Sequence, residues 1–205
     1  MITHQNVLIR YVHFSDPRFV IADEGRTSLG ILPFFHAYGF MTTMMCIERK
    51  TKVIVMTRFE EKLFLRVIQD YKISELLLVP PLALFLARSP IVTNYDLSSV
   101  KRVICGAAPL SKDLEASLRK RLKIEGIRLG YGLTETTLAC TGFPINVFKE
   151  GSCGKVMPLL SIKVRDPKTR KSLGPNQVGE ICVKGPIVMK GYCNNEQATK
   201  DTFTS

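Results

Sequence analysis

The first 150 residues alternate between short apolar runs and longer amphipathic stretches. The runs end at glycine, proline or polar turns, which predicts five short strands: Leu29–Leu32, Lys52–Met56, Glu75–Val79, Val100–Cys105 and Ile127–Tyr131. Apolar residues at helical spacing predict helices from a Thr3 cap to about Phe14, from Glu60 to Tyr71, and from a Ser111 cap to about Lys123. A turn is predicted at Asp23–Gly25. Strands that alternate with helices are typical of a largely parallel sheet with both faces covered.

The pattern changes near Glu150. Short alternating segments follow, separated by Asp-Pro and Gly-Pro turns: Ser161–Asp166, Gly179–Lys184 and Ile187–Lys190. They predict an antiparallel β region, and Asn195–Phe203 is predicted to begin a final helix. We therefore predict an α/β fold with two parts of one domain, residues 1–150 with the parallel sheet and residues 151–205 with the antiparallel strands.

Composition narrows the class of protein. Of the 205 residues 45% are hydrophobic and 23% charged, with 14 Gly and 11 Pro, which excludes collagen, coiled coil and intrinsic disorder. The most apolar stretch, Ser74–Ala87, is interrupted by Glu75 and Pro80-Pro81, so no transmembrane segment is predicted. The net charge of +11 favours anionic partners, such as phosphorylated cofactors, nucleic acid or an acidic membrane surface. The basic residues are dispersed and Trp is absent, which favours a solvated basic surface over a specific nucleic-acid site.

Six cysteines are too widely spaced for a Cys-x-x-Cys metal motif or a small disulfide framework. The first residues contain neither the basic nor the apolar part of a signal peptide. We expect reduced thiols in an intracellular protein.

The segment Gly130–Thr137 carries the densest chemical signal. It is a glycine-flanked turn directly after a predicted strand, and it places the Thr134 hydroxyl beside the Glu135 carboxylate. Backbone amides freed by glycines and a hydroxyl suit phosphate oxygens, while a carboxylate suits Mg²⁺. A glycine turn followed by a helix capped by Thr134 fits the same residues. The residues alone leave both interpretations open.

Two further segments follow predicted strands. Cys105–Leu110 has small side chains that permit a flat ring to approach the backbone, although tight strand-to-helix packing explains them equally well. Pro33–Gly39 places His36 among aromatic residues, where a neutral imidazole would donate a hydrogen bond to a carboxylate or phosphate. A histidine in apolar surroundings is also consistent with a core residue. His4 and His13 carry no functional prediction.

These segments resemble the adenylate-forming superfamily of acyl-CoA synthetases, coumarate-CoA ligases and beetle luciferases in their order along the chain, their residues and their spacing. Five motifs carry the resemblance: the aromatic-His segment Pro33–Gly39, the adenine-pocket segment Gly106–Leu110, the Tyr-Gly-x-Thr-Glu signature within Gly130–Thr137, and the β segments Gly151–Pro158 and Gly179–Tyr192.

The resemblance implies a two-step reaction. A carboxylate attacks the α-phosphate of ATP to form an acyl-adenylate, and a thiol, usually CoA, then displaces AMP. The resemblance implies catalytic roles for His36 beside the carboxylate, Thr134 on phosphate and Glu135 on Mg²⁺. It further implies a nucleotide site and an acyl pocket with these members: Gly106, Ala107, Ala108, Gly130, Tyr131, Gly132 and Thr134 for the nucleotide, Tyr38 and Leu138 for the acyl group.

Within the superfamily the chain is most similar to the insect luciferase-like group. Luminescent members tend to carry Arg before the Asp-Pro at Asp16-Pro17 and Ser at position 138, whereas this chain has Ser15 and Leu138. The resemblance therefore favours a long-chain fatty acyl-CoA synthetase, peroxisomal or cytoplasmic, over a light emitter. A non-catalytic module that binds adenine or acyl groups is the competing class.

The family's phosphate loop is expected before Met1, and its ribose-binding Asp and C-terminal lid after Ser205. We accordingly expect a central fragment of the family's large N-terminal domain, inactive by itself. Lys50 stands where the family usually has a turn glycine, and we expect strain in that turn.

Overall fold

A computed structural model describes residues 1–19 and 27–203. The turn predicted at Asp23–Gly25 lies outside the described residues. Five parallel strands form the central sheet in the order β2-β1-β3-β4-β5. Their bounds are Thr27–Gly30 (β1), Lys52–Val55 (β2), Glu75–Leu78 (β3), Arg102–Cys105 (β4) and Ile127–Leu129 (β5). The predicted α/β class and largely parallel sheet are confirmed.

Within residues 1–19 and 27–203, six α-helices accompany the strands. Their bounds are His4–Ser15 (α1), Ala37–Glu48 (α2), Glu61–Asp70 (α3), Pro80–Arg88 (α4), Lys112–Leu122 (α5) and Glu196–Thr202 (α6). Thr3 caps α1 through a reciprocal pair of hydrogen bonds with Asn6, and the Ser111 hydroxyl caps α5 by accepting from the Leu114 N–H at 3.3 Å. Both caps are the ones that the sequence predicts.

The two faces of the sheet bury different residues. Register pairs Leu76 with Val103 and Leu78 with Cys105, and these side chains pack against α3, α4 and α5 in the main core. Because side chains alternate along a strand, the opposite face carries Glu75, Leu77, Ile104 and Arg128. On that face Tyr38 of α2 packs against Leu77.

After β5 the chain forms short antiparallel pairs of strands. These are Gly132–Leu133 with Leu138–Ala139 (β6, β7), Thr141–Gly142 with Lys155–Val156 (β8, β9), and Ser161–Arg165 with Glu180–Lys184 (β10, β11). The antiparallel region after residue 150 is thereby confirmed, while the division of the chain at residue 150 stays a prediction.

The strand predicted at Ile187–Lys190 is wrong. This segment is a series of turns and bends, and its backbone groups form hydrogen bonds with other parts of the chain. The Asn6 side chain donates to the Pro186 carbonyl at 2.7 Å and the Val188 carbonyl at 3.0 Å, and the Met189 N–H donates to the Glu135 carbonyl at 2.8 Å. A backbone committed to these partners cannot join a strand ladder.

Two helices and several strand boundaries differ from the sequence prediction. α2 and α4 are not predicted, and β1 begins and ends two residues before the predicted Leu29–Leu32. Pro80-Pro81 close the strand β3 as the sequence predicts, and they also begin α4, because proline in the first turn of a helix loses no hydrogen bond. α2 is apolar on most sides and contains Gly39 and two threonines, so its amphipathic signal is weak.

The strain expected at Lys50 is present. Its φ of 53° lies in the left-handed region, in the turn that leads from α2 to β2. A side chain at this φ crowds its own backbone, which glycine avoids.

All six cysteines lie in the described part and are free thiols. Among the described residues, none of the helices has the length and apolarity required to cross a membrane.

Candidate active site

A cavity of about 410 Å³ lies on the sheet face that carries Leu77 and Ile104. Its walls come from β3, β4 and β5, from α2, and from the segment between Gly130 and Phe143. The carboxyl ends of parallel strands, where α/β proteins bind ligands, form one end of it. The cavity therefore occupies the position at which an α/β sheet is expected to bind a substrate.

His36 is exposed at the carboxyl end of the cavity, at the start of α2. Its Nδ1 accepts a hydrogen bond from the Tyr38 N–H at 3.2 Å and thereby caps the helix. An imidazole that accepts at Nδ1 carries its proton at Nε2 when neutral. His36 thus presents an Nε2–H donor to the cavity.

Tyr38 forms a buried wall of the cavity. Its side chain is 8% exposed, and the hydroxyl donates to the Ile104 carbonyl at 3.4 Å. Burial, with smaller contributions from Cys105 and Glu75, raises the pKa of Tyr38 well above its usual value, so the phenol stays neutral. Leu138 packs on the same cluster. These residues give the cavity an apolar middle.

The turn after β5 places a hydroxyl and a carboxylate at the carboxyl end. β6 and β7 approach so closely that a Cβ at Gly132 would lie 2.0 Å from the Leu138 carbonyl oxygen. Thr134 to Thr136 form one turn of 3₁₀-helix, stabilised by the Leu133 N–H donating to the Thr136 hydroxyl at 2.9 Å. Thr134 lies inside this turn and is exposed, so the alternative of an α-helix capped by Thr134 is wrong.

Glu135 is held from two directions. The Tyr192 hydroxyl donates to Glu135 Oε1 at 2.6 Å, and the Met189 N–H donates to its backbone carbonyl. The hydrogen bond to the carboxylate raises the pKa of Tyr192. In the described part of the chain no cluster of three His, Cys, Asp or Glu side chains offers a complete metal site. One carboxylate beside a hydroxyl instead fits Mg²⁺, which shares its ligands with substrate phosphates and water.

The segment after β4 supplies the floor of the carboxyl end. The Gly106 N–H donates to the Leu78 carbonyl at 3.2 Å, and Ala107 adopts a left-handed φ of 70° that turns the chain at the strand end. Gly106 and Ala107 line the cavity, together with Gly130.

The structure brings most of the predicted site residues to this cavity. Those that line it are His36, Tyr38, Gly106, Ala107, Gly130, Gly132, Thr134, Glu135 and Leu138, whereas Ala108 and Tyr131 lie outside its lining. Ala108 is exposed and Tyr131 half-buried. The roles of all eleven residues stay predictions.

Arg10 and His13 belong to the site region although the sequence gave no reason to select them. Arg10 is 1% exposed and donates to the Thr137 carbonyl at 2.9 Å and the Thr136 carbonyl at 3.1 Å. Its third contact is His13 Nδ1 at 3.1 Å, and His13 Nε2 lies 2.7 Å from the Pro158 carbonyl. Burial lowers the pKa of Arg10 to about 10. Arg10 and His13 are three residues apart in α1. Polar side chains at this spacing indicate a functional or structural site only when they are known to be buried.

Comparisons with known proteins indicate one family for this chain. Residues 1–193 match the family model described as AMP-binding enzyme. The chain belongs to this family. It is 46% identical over 201 residues to the luciferin 4-monooxygenase of Photuris pensylvanica, covering 98% of this chain and 37% of that protein. It is 40% identical over 204 residues to the probable 4-coumarate–CoA ligase 1 of Dictyostelium discoideum, with 98% and 37% covered.

The fold comparison agrees. The ATP-bound crystal structure of MatB from Rhodopseudomonas palustris superposes with a TM-score of 0.89 at 27% identity, covering 100% of this chain and 40% of that one. The chain thus spans little more than a third of the length of the curated relatives it matches. The predicted adenylate-forming family is confirmed.

Proposed function

We propose that this chain is the central part of an AMP-forming acid–thiol ligase, which activates a carboxylic acid with ATP and transfers it to CoA. The observation that carries the proposal is the meeting of His36, Thr134 and Glu135 at the carboxyl end of one cavity in a member of the AMP-binding enzyme family. Because the chain spans 37% of its relatives, activity, substrates and partners of the whole protein are part of the proposal.

Each residue of this set has a separate role in the proposed reaction. The acid attacks the α-phosphate of ATP as a carboxylate, which needs no general base at neutral pH. The Nε2–H of His36 orients that carboxylate, and the Thr134 hydroxyl donates to a phosphate oxygen on which negative charge increases. Glu135 Oε2, opposite the oxygen that Tyr192 engages, is the oxygen that would hold Mg²⁺. When bound, Mg²⁺ supplies positive charge beside the triphosphate.

The same proposal assigns the two ends of the substrates. Gly106, Ala107, Ala108 and Tyr131 enclose adenine, while Tyr38 and Leu138 border the acyl group. The ATP-bound state of MatB supports ATP as the nucleotide. The apolar wall at Tyr38 and Leu138 supports an acid with an apolar body, for which the sequence resemblance favours a long-chain fatty acid.

Luciferase chemistry is the second candidate, supported by the 46% identity to the Photuris enzyme. Ser15 and Leu138 favour the ligase, because Leu138 gives the cavity an apolar wall. Light emission on addition of luciferin, ATP and oxygen would favour the luciferase. Binding of adenine or acyl groups with no turnover would indicate the third class, a non-catalytic module.

The proposal includes no specific nucleic-acid partner, because the basic residues are dispersed along the chain. It places the protein in the cytoplasm or the peroxisome. Six free thiols, three of them buried, fit a reducing compartment.

Substitution Glu135→Ala tests the proposal in a chain of the relatives' length that contains this segment. We expect the rate of ATP–pyrophosphate exchange to fall on the order of 100-fold or more, because a preorganised group that stabilises developing charge is lost. Unchanged exchange would refute the role of Glu135.

Tyr192→Phe is the matched control. It removes the hydroxyl that donates to Glu135 and keeps the carboxylate. We expect a loss of less than about tenfold, since a single hydrogen bond contributes about 1 kcal/mol. Equal losses in both variants would mean that Glu135 acts through its contact with Tyr192 rather than on the substrate.

A further inference from the structure

One segment of the chain, residues 189–192, holds Glu135 at two points. The Met189 N–H donates to the Glu135 backbone carbonyl at 2.8 Å, and the Tyr192 hydroxyl donates to Oε1 of the Glu135 carboxylate at 2.6 Å. Hydrogen bonds to an ionised acceptor are shorter and about twice as strong as those between neutral groups. The backbone and the carboxylate of Glu135 are therefore both fixed relative to this segment.

Tyr192 is itself held by the final helix. Its N–H donates to the Thr199 hydroxyl at 2.9 Å, and that hydroxyl donates to the Asn195 carbonyl at 2.8 Å. Gly191 has a φ of 149°, and a Cβ there would lie 2.8 Å from Thr199 Cγ2, so the chain before Tyr192 lies directly against α6. The position of the Tyr192 hydroxyl thus depends on the packing of this segment against α6.

The Tyr192 phenol stays protonated at neutral pH. Its hydrogen bond to Glu135 raises its pKa above the usual value, and a smaller effect of Thr202 opposes this. A protonated phenol has a single O–H to donate, and in this structure Oε1 of Glu135 accepts it. Oε2 is therefore the oxygen that Glu135 offers to a metal ion.

Mg²⁺ and Ca²⁺ differ in how they bind a carboxylate. Mg²⁺ requires octahedral geometry at about 2.1 Å, so adjacent ligand atoms lie about 3.0 Å apart, whereas the two oxygens of one carboxylate are about 2.2 Å apart. Mg²⁺ therefore takes one oxygen from each carboxylate. Ca²⁺ is larger, accepts more ligands at longer distances and binds a carboxylate through both oxygens as well as through one. A carboxylate with one oxygen already bonded to a protein donor thus suits Mg²⁺ better than Ca²⁺.

We propose that Tyr192 is a positioning residue that makes the metal site at Glu135 selective for Mg²⁺ over Ca²⁺. Its hydroxyl engages Oε1, so binding of Ca²⁺ through both oxygens has to displace or weaken this hydrogen bond. The inference rests on the proposed function, in which Glu135 holds the metal ion of the nucleotide. It deepens that function, because it assigns the choice of metal to a residue outside the cavity lining.

Calorimetric binding of α,β-methylene-ATP, which cannot be cleaved at the α-phosphate, tests this in a chain of the relatives' length. The analogue is titrated in excess Mg²⁺ and, separately, in excess Ca²⁺, and the ratio of the two Kd values measures the selectivity. We expect wild type to bind the magnesium complex more tightly. Tyr192→Phe should reduce this ratio by about tenfold, the factor that one hydrogen bond to a charged group contributes.

Two further variants show whether Tyr192 acts through Glu135. In a Glu135→Gln background the side chain no longer binds a metal through two charged oxygens, so adding Tyr192→Phe should leave the ratio unchanged. Tyr95→Phe removes a tyrosine hydroxyl from a half-buried ring that packs against the main core outside the cavity lining, and it should keep the wild-type ratio. The thermal unfolding midpoint of each variant separates a change in selectivity from misfolding.

Tighter binding of the calcium complex by wild type, or an equal ratio in wild type and Tyr192→Phe, would overturn the inference and leave the ligase intact. An equal loss of affinity for both complexes is included here, because Tyr192 would then support the structure of the site without selecting the metal. If the analogue binds with neither metal, the proposed function fails, and the inference fails with it.

Discussion

Lys50 is a residue whose identity conflicts with its backbone. Its left-handed φ of 53° costs a residue with a Cβ about 1–2 kcal/mol, whereas glycine loses more backbone entropy on folding, about 0.5–1 kcal/mol. Lys50→Gly should therefore raise the free energy of unfolding by up to about 1 kcal/mol, measured by urea denaturation. Lys52→Gly, in the extended strand β2, is the control and should lower it. A Lys50→Gly variant less stable than wild type would contradict the strain argument.

His13 makes stability depend on pH. Burial, and next the Arg10 guanidinium, lower the pKa of His13 below its usual 6.5, so the unfolded chain binds a proton that the folded chain does not. The stabilisation is complete above about pH 6.5 and is lost as the pH falls below it. We expect the free energy of unfolding to decrease between about pH 7 and pH 5, and His13→Gln to flatten this dependence. His4→Gln, at an exposed position, should keep the wild-type slope.

The site residues that can be identified from the sequence are those that lie in a motif recognisable from neighbouring residues alone. His36, Thr134 and Glu135 each follow a predicted strand, so they reach the same edge of a parallel sheet without any knowledge of packing. Arg10 and His13 have polar side chains in an otherwise ordinary helix pattern. Their importance depends on burial against distant segments, which spacing along the chain does not encode.

Among the helices, an amphipathic pattern distinguishes those that the sequence predicts from those that it does not predict. α3 and α5 bury one stripe and carry polar residues opposite, and both were predicted within about one residue of each end. α2 and α4 carry apolar residues on their exposed sides as well, namely Phe40, Ile47 and Leu84, so the sequence lacks the polar face that marks an amphipathic helix. The strand predicted at Ile187–Lys190 does not form, because the backbone there is hydrogen-bonded to α1 and to Glu135.

The link between α1 and the Thr134–Thr137 turn gives a prediction about stability. Arg10→Met leaves the buried Thr136 and Thr137 carbonyls without their donor, and each buried orphan costs about 1–3 kcal/mol. We expect the free energy of unfolding to fall by about 3 kcal/mol in denaturant titration. Arg66→Met, which removes an exposed ion pair with Asp70, should cost at most about 0.5 kcal/mol. Similar small losses in both variants would show that the Arg10 contacts do not hold the turn.

At the scale of the molecule, the first residue bonds to the segment that precedes α6. The Met1 amino group donates to the Gly191 carbonyl, and the Lys190 N–H donates to the Met1 carbonyl at 3.0 Å. The antiparallel part is thereby joined to α1, close to the turn that carries Glu135. Such contacts between distant segments complete the site. The class of fold could be predicted because it depends on local patterns, whereas the shape of the cavity could not, because it depends on these distant contacts.

The 205-residue chain by itself should give no ATP–pyrophosphate exchange with any carboxylic acid. It spans 37% of its curated relatives, and His36 and Thr134, which would face the reacting groups, are both exposed. Water at such groups weakens their interaction with developing charge, and closed active sites exclude it. The measurement compares the purified chain with a blank without enzyme and with a chain of the relatives' length. Exchange above the blank by the 205-residue chain would show that the sheet, α2 and the Thr134–Glu135 turn suffice for adenylation.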